Sequence, residues 1–586
     1  MKRLLTAPAL AALLLAGCRG SPPATSGKAG PTVAAAGDPR QDVRDILGRD
    51  PDLGNCKAAV QSMNALLTRD EGLRPKPLGD AETDLLTREM KLRPEELDEL
   101  RRPEFTPLDA HYLEECLVLR DAARAIDPGP IGTADRAAVL LAWVGRQVIR
   151  VDPPAGQIGL PAPPLYTLRR GQGPAEERAY VFQGLLRQLG LASCLFADRE
   201  QPNGPLRVWG VGVLGEDGAV FVFDPRRGRP LPGPGGQGVA TLAQLRADPD
   251  LVKPWRADAA DPFTVPAEKL KSAAPLLAPS LSALAPRAGA LQKVLGDETS
   301  VRLAVDAAAL RQGFRAALEA QHLPADGVRF DNDPADQFAP ARRLRSFLPP
   351  EEGGGDPAPT RLLDLYRLAL VPWPALPRMV GELELPGPIG DALRNHFRTR
   401  FITLAIDPRE SRGSLIRGHY DEAIPKLIEQ IDYCKLTDER IRKEPDLERE
   451  AAQSCREAVR LEPELSRQRR QSGEDAEYRE RIEGFVKQSK VALLVEQAAC
   501  RAYLPEATYQ LALCKHEQAE QLQVQLDHPA GRPPPGRDVV RDAWLSAEDW
   551  WDRYQRLGGT GSADRAAEAA ALHARAREMT LKLKAP

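Results

Sequence analysis

Histidine is nearly absent from this chain of 586 residues: there are seven, and none falls between His111 and His322. That gap removes the side chain most often used as a general base from a long central stretch. Aromatic residues make up only 5 %, which weighs against a large β-structure and suits helices joined by proline-rich loops. No Cys-x-x-Cys and no His-x-x-x-His occurs, so neither a metal site nor any other cofactor is expected. Charge of one sign is also lacking. Eighty basic and 83 acidic side chains leave a net charge of −3, and no basic patch is interleaved with aromatics, which argues against nucleic-acid binding. After the first residues there is no long apolar run, so no further segment is expected to cross a membrane.

What is present begins at the N-terminus. Lys2 and Arg3 precede an apolar run from Leu4 to Leu15 that ends in Leu15-Ala16-Gly17-Cys18. A basic start, a short apolar centre and small residues before a cut make a secretory signal. Leu-Ala-Gly-Cys resembles the lipobox of bacterial lipoproteins, which implies removal of residues 1–17 and acylation of Cys18 at the new terminus. Acyl chains there would hold the protein at a membrane, since each buried methylene contributes about 0.8 kcal/mol. The expected address is the cell envelope, outside the cytoplasm. Arg19 lacks the aspartate of inner-membrane lipoproteins, which tilts the expectation toward the outer membrane. Residues 18–39 are rich in Gly, Ser, Pro, Ala and Thr and read as a flexible tether.

Segment 40–127 is helical in pattern. Thr106-Pro107 opens a helix whose apolar face is Leu108, Tyr112, Leu113, Cys116 and Leu117, with proline in the first turn as helix starts favour. Another helix is predicted over 134–148. In segment 128–250, Ala179, Phe182, Leu185, Leu186 and Leu189 recur at helical spacing before Gly190, which predicts an amphipathic helix over 175–189. Three β-rich runs follow, at 191–196, 206–214 and 219–224, the last two separated by Gly215-Glu216-Asp217-Gly218, a glycine-flanked hairpin turn. The chain then reaches Asp224-Pro225.

A helix followed by an antiparallel sheet that ends in Asp-Pro resembles the transglutaminase-like superfamily of papain-type thiol enzymes. In that family a cysteine opens the helix, a histidine sits on the following strand and an aspartate on the next. The resemblance places Ala175 at the nucleophile position, Val208 or Trp209 at the histidine position and Asp224 at the aspartate position. Two of the three groups are therefore missing, and removing a nucleophile or base from such a unit costs roughly 10⁶ in turnover. The implied unit is a degenerate one that binds without catalysis, and the sequence assigns no catalytic residue. Cys194 is the one thiol in the region and is the alternative nucleophile if the chain is instead an active peptidase or acyl transferase.

Segment 251–386 is mixed and poorly patterned: a strand is expected over 301–305 and a helix over 307–319, with loop from 323 to 359. Segment 387–586 turns helical. Arg417-Gly418-His419-Tyr420-Asp421-Glu422-Ala423-Ile424 resembles the middle of a tetratricopeptide repeat, and Glu506 to Leu513 looks like the first helix of another unit. Such helices bury their faces by stacking and form interaction surfaces. The cysteines after Cys18 stand at 56, 116, 194, 434, 455, 500 and 514. Cys56 with Cys116, and two bridges among the last four, are compatible with an oxidising compartment, as is a set of buried thiols.

The expected fold class is mostly α with a small α+β part, a transglutaminase-like helix plus antiparallel sheet followed by a helical hairpin or repeat region. The expected function is a membrane-anchored binding or scaffold protein whose partner is a protein or the cell wall. The competing expectations are the active thiol enzyme and a purely helical scaffold with no transglutaminase relationship, which would lack the sheet between Leu191 and Asp224.

Overall fold

The computed structural model describes residues 39–330, apart from 49–50, 130, 152–161, 200–205 and 259–260. It also describes a few positions within 344–348, then 411–444, scattered residues within 446–467, and 490–584 apart from 530–532 and 559–562. The lipobox with Cys18, nearly all of the tether and Cys455 lie outside the described residues, as does most of 331–410. The described residues are mostly helical, with a six-stranded sheet and a two-stranded parallel ladder of Ile149–Arg150 with Gln172–Gly173. No described helix is long and apolar enough to cross a membrane.

The elements that position the site are α1 (Leu53–Arg69), α2 (Pro107–Ile126), α3 (Thr133–Gln147) and α4 (Ala175–Gln188). Helix α2 starts where Thr106-Pro107 predicts. The Asp109 carboxylate returns to accept from the Thr106 backbone N–H at 2.7 Å, so the first turn caps itself. Gly190 ends α4 at φ +74°, the left-handed stop that glycine favours.

Strands β1 (Ser193–Arg199), β2 (Leu206–Leu214) and β3 (Val220–Asp224) form an antiparallel meander directly after α4. Beyond β3 pairs β4 (Arg229–Pro230). On the other side β5 (Leu276–Leu277) joins β1, and β6 (Arg329–Phe330) joins β5, for the order β4-β3-β2-β1-β5-β6. The sheet thus continues past residue 250 into the segment expected to be linker. The strand expected over 301–305 is not formed. The N–H groups of Leu303 and Ala304 donate to the side-chain oxygen of Gln292, and that of Arg302 to Gln188, so side-chain amides take the donors that a ladder would use. Helix α5 (Ala307–Ala320) follows as expected.

The two faces of the sheet are covered by different layers. Leu195, Val208, Val211, Val213 and Phe223 pack with α2, α3 and α4, where Phe182 meets Phe223 edge to face at 5.5 Å. Cys194, Phe196, Val220 and Val222 face a second core built from Leu242, Leu277 and Phe314. Between them a bulge breaks the alternation: Phe196 pairs with Gly210 and Ala197 with Val208, which leaves Trp209 as the extra residue. Such a bulge re-aims the residue it inserts. Trp209 accordingly stacks on Phe196, centroids 5.2 Å apart, on the face away from α4.

The C-terminal part consists of α6 (Tyr420–Arg442), α7 (Val491–Asp527), α8 (Arg537–Arg556) and α9 (Ala563–Lys584), each packed on the next. Gly418 turns the chain into α6 at φ +79°, and its α-carbon lies so close to Ala125 that an added methyl would sit 2.3 Å from the Ala125 Cβ. Glycine is required there twice over. Glu506 to Leu513 does not open a unit but lies inside α7, a helix of 37 residues that runs through Pro505. Trp544 and Trp551 are fully buried and belong to the core of this stack.

Candidate functional site

The helix α4 begins at Ala175, held by a carboxylate cluster instead of a thiol. Glu177, 1 % exposed, accepts from the Ala162 N–H at 2.8 Å, from the Thr167 hydroxyl at 2.9 Å and from Arg170. The preceding Gly173 leaves room for this: a methyl there would lie 2.4 Å from Glu177 Oε2. One residue later, buried Arg178 donates to three backbone carbonyls, Val148 at 2.7 Å, Arg226 at 3.0 Å and Gly145 at 3.1 Å. Arg178 therefore ties the first turns of α4 to the end of α3 and to the loop that leaves β3.

Asp224 stands at the start of that loop. Its Oδ1 accepts the N–H of Arg226 at 2.8 Å and of Arg227 at 3.4 Å, an Asx turn of the ordinary kind. Its Oδ2 is buried without a hydrogen-bond partner. Burial pushes the Asp224 carboxyl up to about 6, against the two amides that work to lower it. In the family that the sequence resembles, this acid would orient an imidazole; here it serves its own turn. Arg226 and Arg227, which follow Pro225, are engaged with Asp261 and Asp258 at 3.0 and 3.1 Å, and Arg227 also lies over the Trp255 ring.

The structure brings α4 and the Asp224 loop together through Arg178 but leaves the other sequence candidates elsewhere. Of the two histidine-position candidates, Val208 lies on the α4 side of the sheet and Trp209 on the opposite side. Cys194 is fully buried on that opposite face, and burial pushes its thiol well above the ordinary range. An activated thiolate needs the reverse, an electropositive and partly open setting.

Next to the Asp224 loop a cleft of about 790 Å³ opens between the α/β body and the C-terminal helices. Its body wall is the end of α2, one side of α3 with Trp143, Arg178, and Arg227 to Arg229; its other wall is α7 and α9. A volume of this order accommodates a small molecule or a segment of chain. Inside, Arg146 and Glu517 form a two-pronged ion pair at 2.9 Å. His516 is fully buried; its Nδ1 accepts from the Trp551 indole N–H at 3.3 Å and its Nε2 faces Glu520 at 3.7 Å. Burial opposes the charge on Glu520, yet His516 and Arg146 hold its carboxyl down to about 2. Sequence reasoning did not single out Glu177, Arg178, His516 or Glu517. The one available signal was their charge at positions that the helical period turns inward.

No protein-family model matches the chain, and no curated protein or solved structure matches it.

Proposed function

We propose that the chain is a lipid-anchored protein of the bacterial cell envelope in which a degenerate transglutaminase-like unit, joined to the C-terminal helices, binds another molecule without turning it over. The observation that carries this reading is the state of the acid position. Asp224 Oδ1 accepts the amides of its own turn and its Oδ2 is buried without any hydrogen-bond partner, an imidazole included, while α4 opens on Ala175 and Cys194 is buried on the far face of the sheet. Covalent acyl transfer needs a thiolate, a base and an orienting acid in hydrogen-bond contact.

The family likeness is supported by the order of elements: a buried helix, then an antiparallel meander whose last strand ends in Asp224 and packs on that helix through Phe182 and Phe223. The address is supported by the signal and lipobox, Lys2 to Cys18. The cleft beside Arg178 is the surface such a unit offers to a protein or cell-wall partner. The binding reading is tested with purified protein and fluorogenic peptide and isopeptide substrates. We expect no turnover above the blank and no change with Cys194→Ala; thiol-dependent cleavage lost in that variant would overturn it. Lipidation is tested in parallel, since Cys18→Ser should abolish the acyl mass increment and release the protein from membranes.

A further inference from the structure

Two buried cysteines meet between α6 and α7. The side chains that bracket them set the register of this antiparallel helix pair. Tyr503 donates to Gln430 at 3.0 Å, Tyr433 to Glu496 at 2.9 Å, and Arg501 to Asp438 at 2.7 Å. In each pair the two residue numbers sum to nearly the same value, and Cys434 and Cys500 complete the series. Both are 1 % exposed and belong to one core cluster. That register sets Cys434 on α6 against Cys500 on α7 inside this core, and the Cys500 thiol is the main group that pushes the Cys434 thiol up. Of the remaining described cysteines, Cys56 and Cys116 share another core cluster, and Cys194 stands in a third.

We propose that Cys434 and Cys500 are a disulfide site, oxidised during folding so that α6 and α7 become covalently joined. The inference rests on the exported reading given above for its oxidant, a disulfide of the glutathione or disulfide-oxidoreductase class. The thiolate of one cysteine attacks that disulfide and displaces a thiol; the second thiolate then attacks the mixed disulfide and displaces the other. Two protons and two electrons leave the protein and the external disulfide departs as two thiols. Because both sulfurs are buried in the folded stack, the exchange belongs to the stage before α6 and α7 have closed on each other. The bridge closes a covalent loop over the chain between Cys434 and Cys500.

The test uses the full chain, blocked with N-ethylmaleimide in denaturant without reduction and digested with trypsin. We expect the peptide Leu427–Lys435 joined to Val491–Arg501 and two hydrogens lighter than the sum, with Cys194 and Cys514 carrying maleimide. Protein refolded from the reduced state in a glutathione redox buffer should give the same linkage. If Cys434 and Cys500 both carry maleimide after that refolding, the proposal is overturned. If the refolded protein is bridged while protein from the envelope is not, the site stands and the exported reading falls. Reduction of the bridged wild-type protein should lower its melting temperature by on the order of 5 °C, and Cys434→Ser should be insensitive to reductant.

Discussion

Asp224 shows how a residue's surroundings decide its chemistry. An aspartate before proline at a strand end is more commonly a turn former than a triad acid, and the amides of Arg226 and Arg227 that donate to Asp224 Oδ1 complete such a turn. The cost is visible in its protonation. The ordinary carboxyl titrates near 3.8, and burial raises that of folded Asp224 to about 6. Between these values the folded state holds the proton more tightly, so stability falls as pH rises through this window and the penalty is complete above it. Asp224→Asn removes the titration. Its stability relative to wild type should therefore improve by on the order of 2 kcal/mol between pH 3.5 and pH 7. Urea unfolding at the two pH values checks this, and a difference that does not change with pH would refute the burial argument. The aspartate's position was legible in the sequence; its unpartnered oxygen was not, because that depends on what packs around the turn.

At the scale of elements, strand β2 illustrates what glycine does in a sheet. Gly212 pairs opposite Cys194, and a methyl there would lie 2.6 Å from the Cys194 sulfur and 2.9 Å from the Phe196 ring. Gly212→Ala should destabilise the protein by about 1–3 kcal/mol, as overpacking does. Adding Cys194→Ala should recover part of that loss, since one of the two clashing groups is gone; denaturation of the single and double variants measures the coupling. The start of helix α2 and both ends of α3, α4 and the three meander strands were legible from period, capping and turn residues to within three residues. The bulge that turns Trp209 away from α4 was not, because the extra residue in β2 is defined only by how that strand pairs with β1. Likewise the run at 301–305 alternates like a strand, yet Gln188 and Gln292 claim its donors.

Charged side chains join the α/β body to the C-terminal helices alongside apolar contacts. Arg412, buried, donates to the Gln147 side chain and backbone and to the Leu168 carbonyl, and Arg146 meets Glu517 from the helical stack. Glu517 also accepts from Gln147 at 3.1 Å. Glu517→Ala leaves a largely buried guanidinium without its carboxylate, a change that costs about 3–5 kcal/mol where a pair is desolvated. We expect scanning calorimetry of this variant to show the C-terminal stack melting apart from the α/β body, in place of a shared transition. A single unshifted transition would mean that the apolar contacts of Ile149 with the stack suffice to couple the two.

The sequence by itself determined the local features whose causes lie within a few residues. These are the signal and lipobox pattern, the helix starts at Thr106-Pro107 and Ala175, the glycine stops, the hairpin at Gly215 to Gly218, and the absence of a cysteine and a histidine where a thiol enzyme needs them. Tertiary structure alone decided which distant groups meet. Arg178 joins residues from α3 and from the loop after β3, Arg146 finds Glu517, Cys434 finds Cys500, and Cys194 disappears under Gly212. Periodicity states that a side chain turns inward, but which charge or thiol it meets there depends on the packing of elements far apart in the chain. For this protein that packing buries Cys194 beneath Gly212 and leaves the Asp224 Oδ2 without a hydrogen-bond partner.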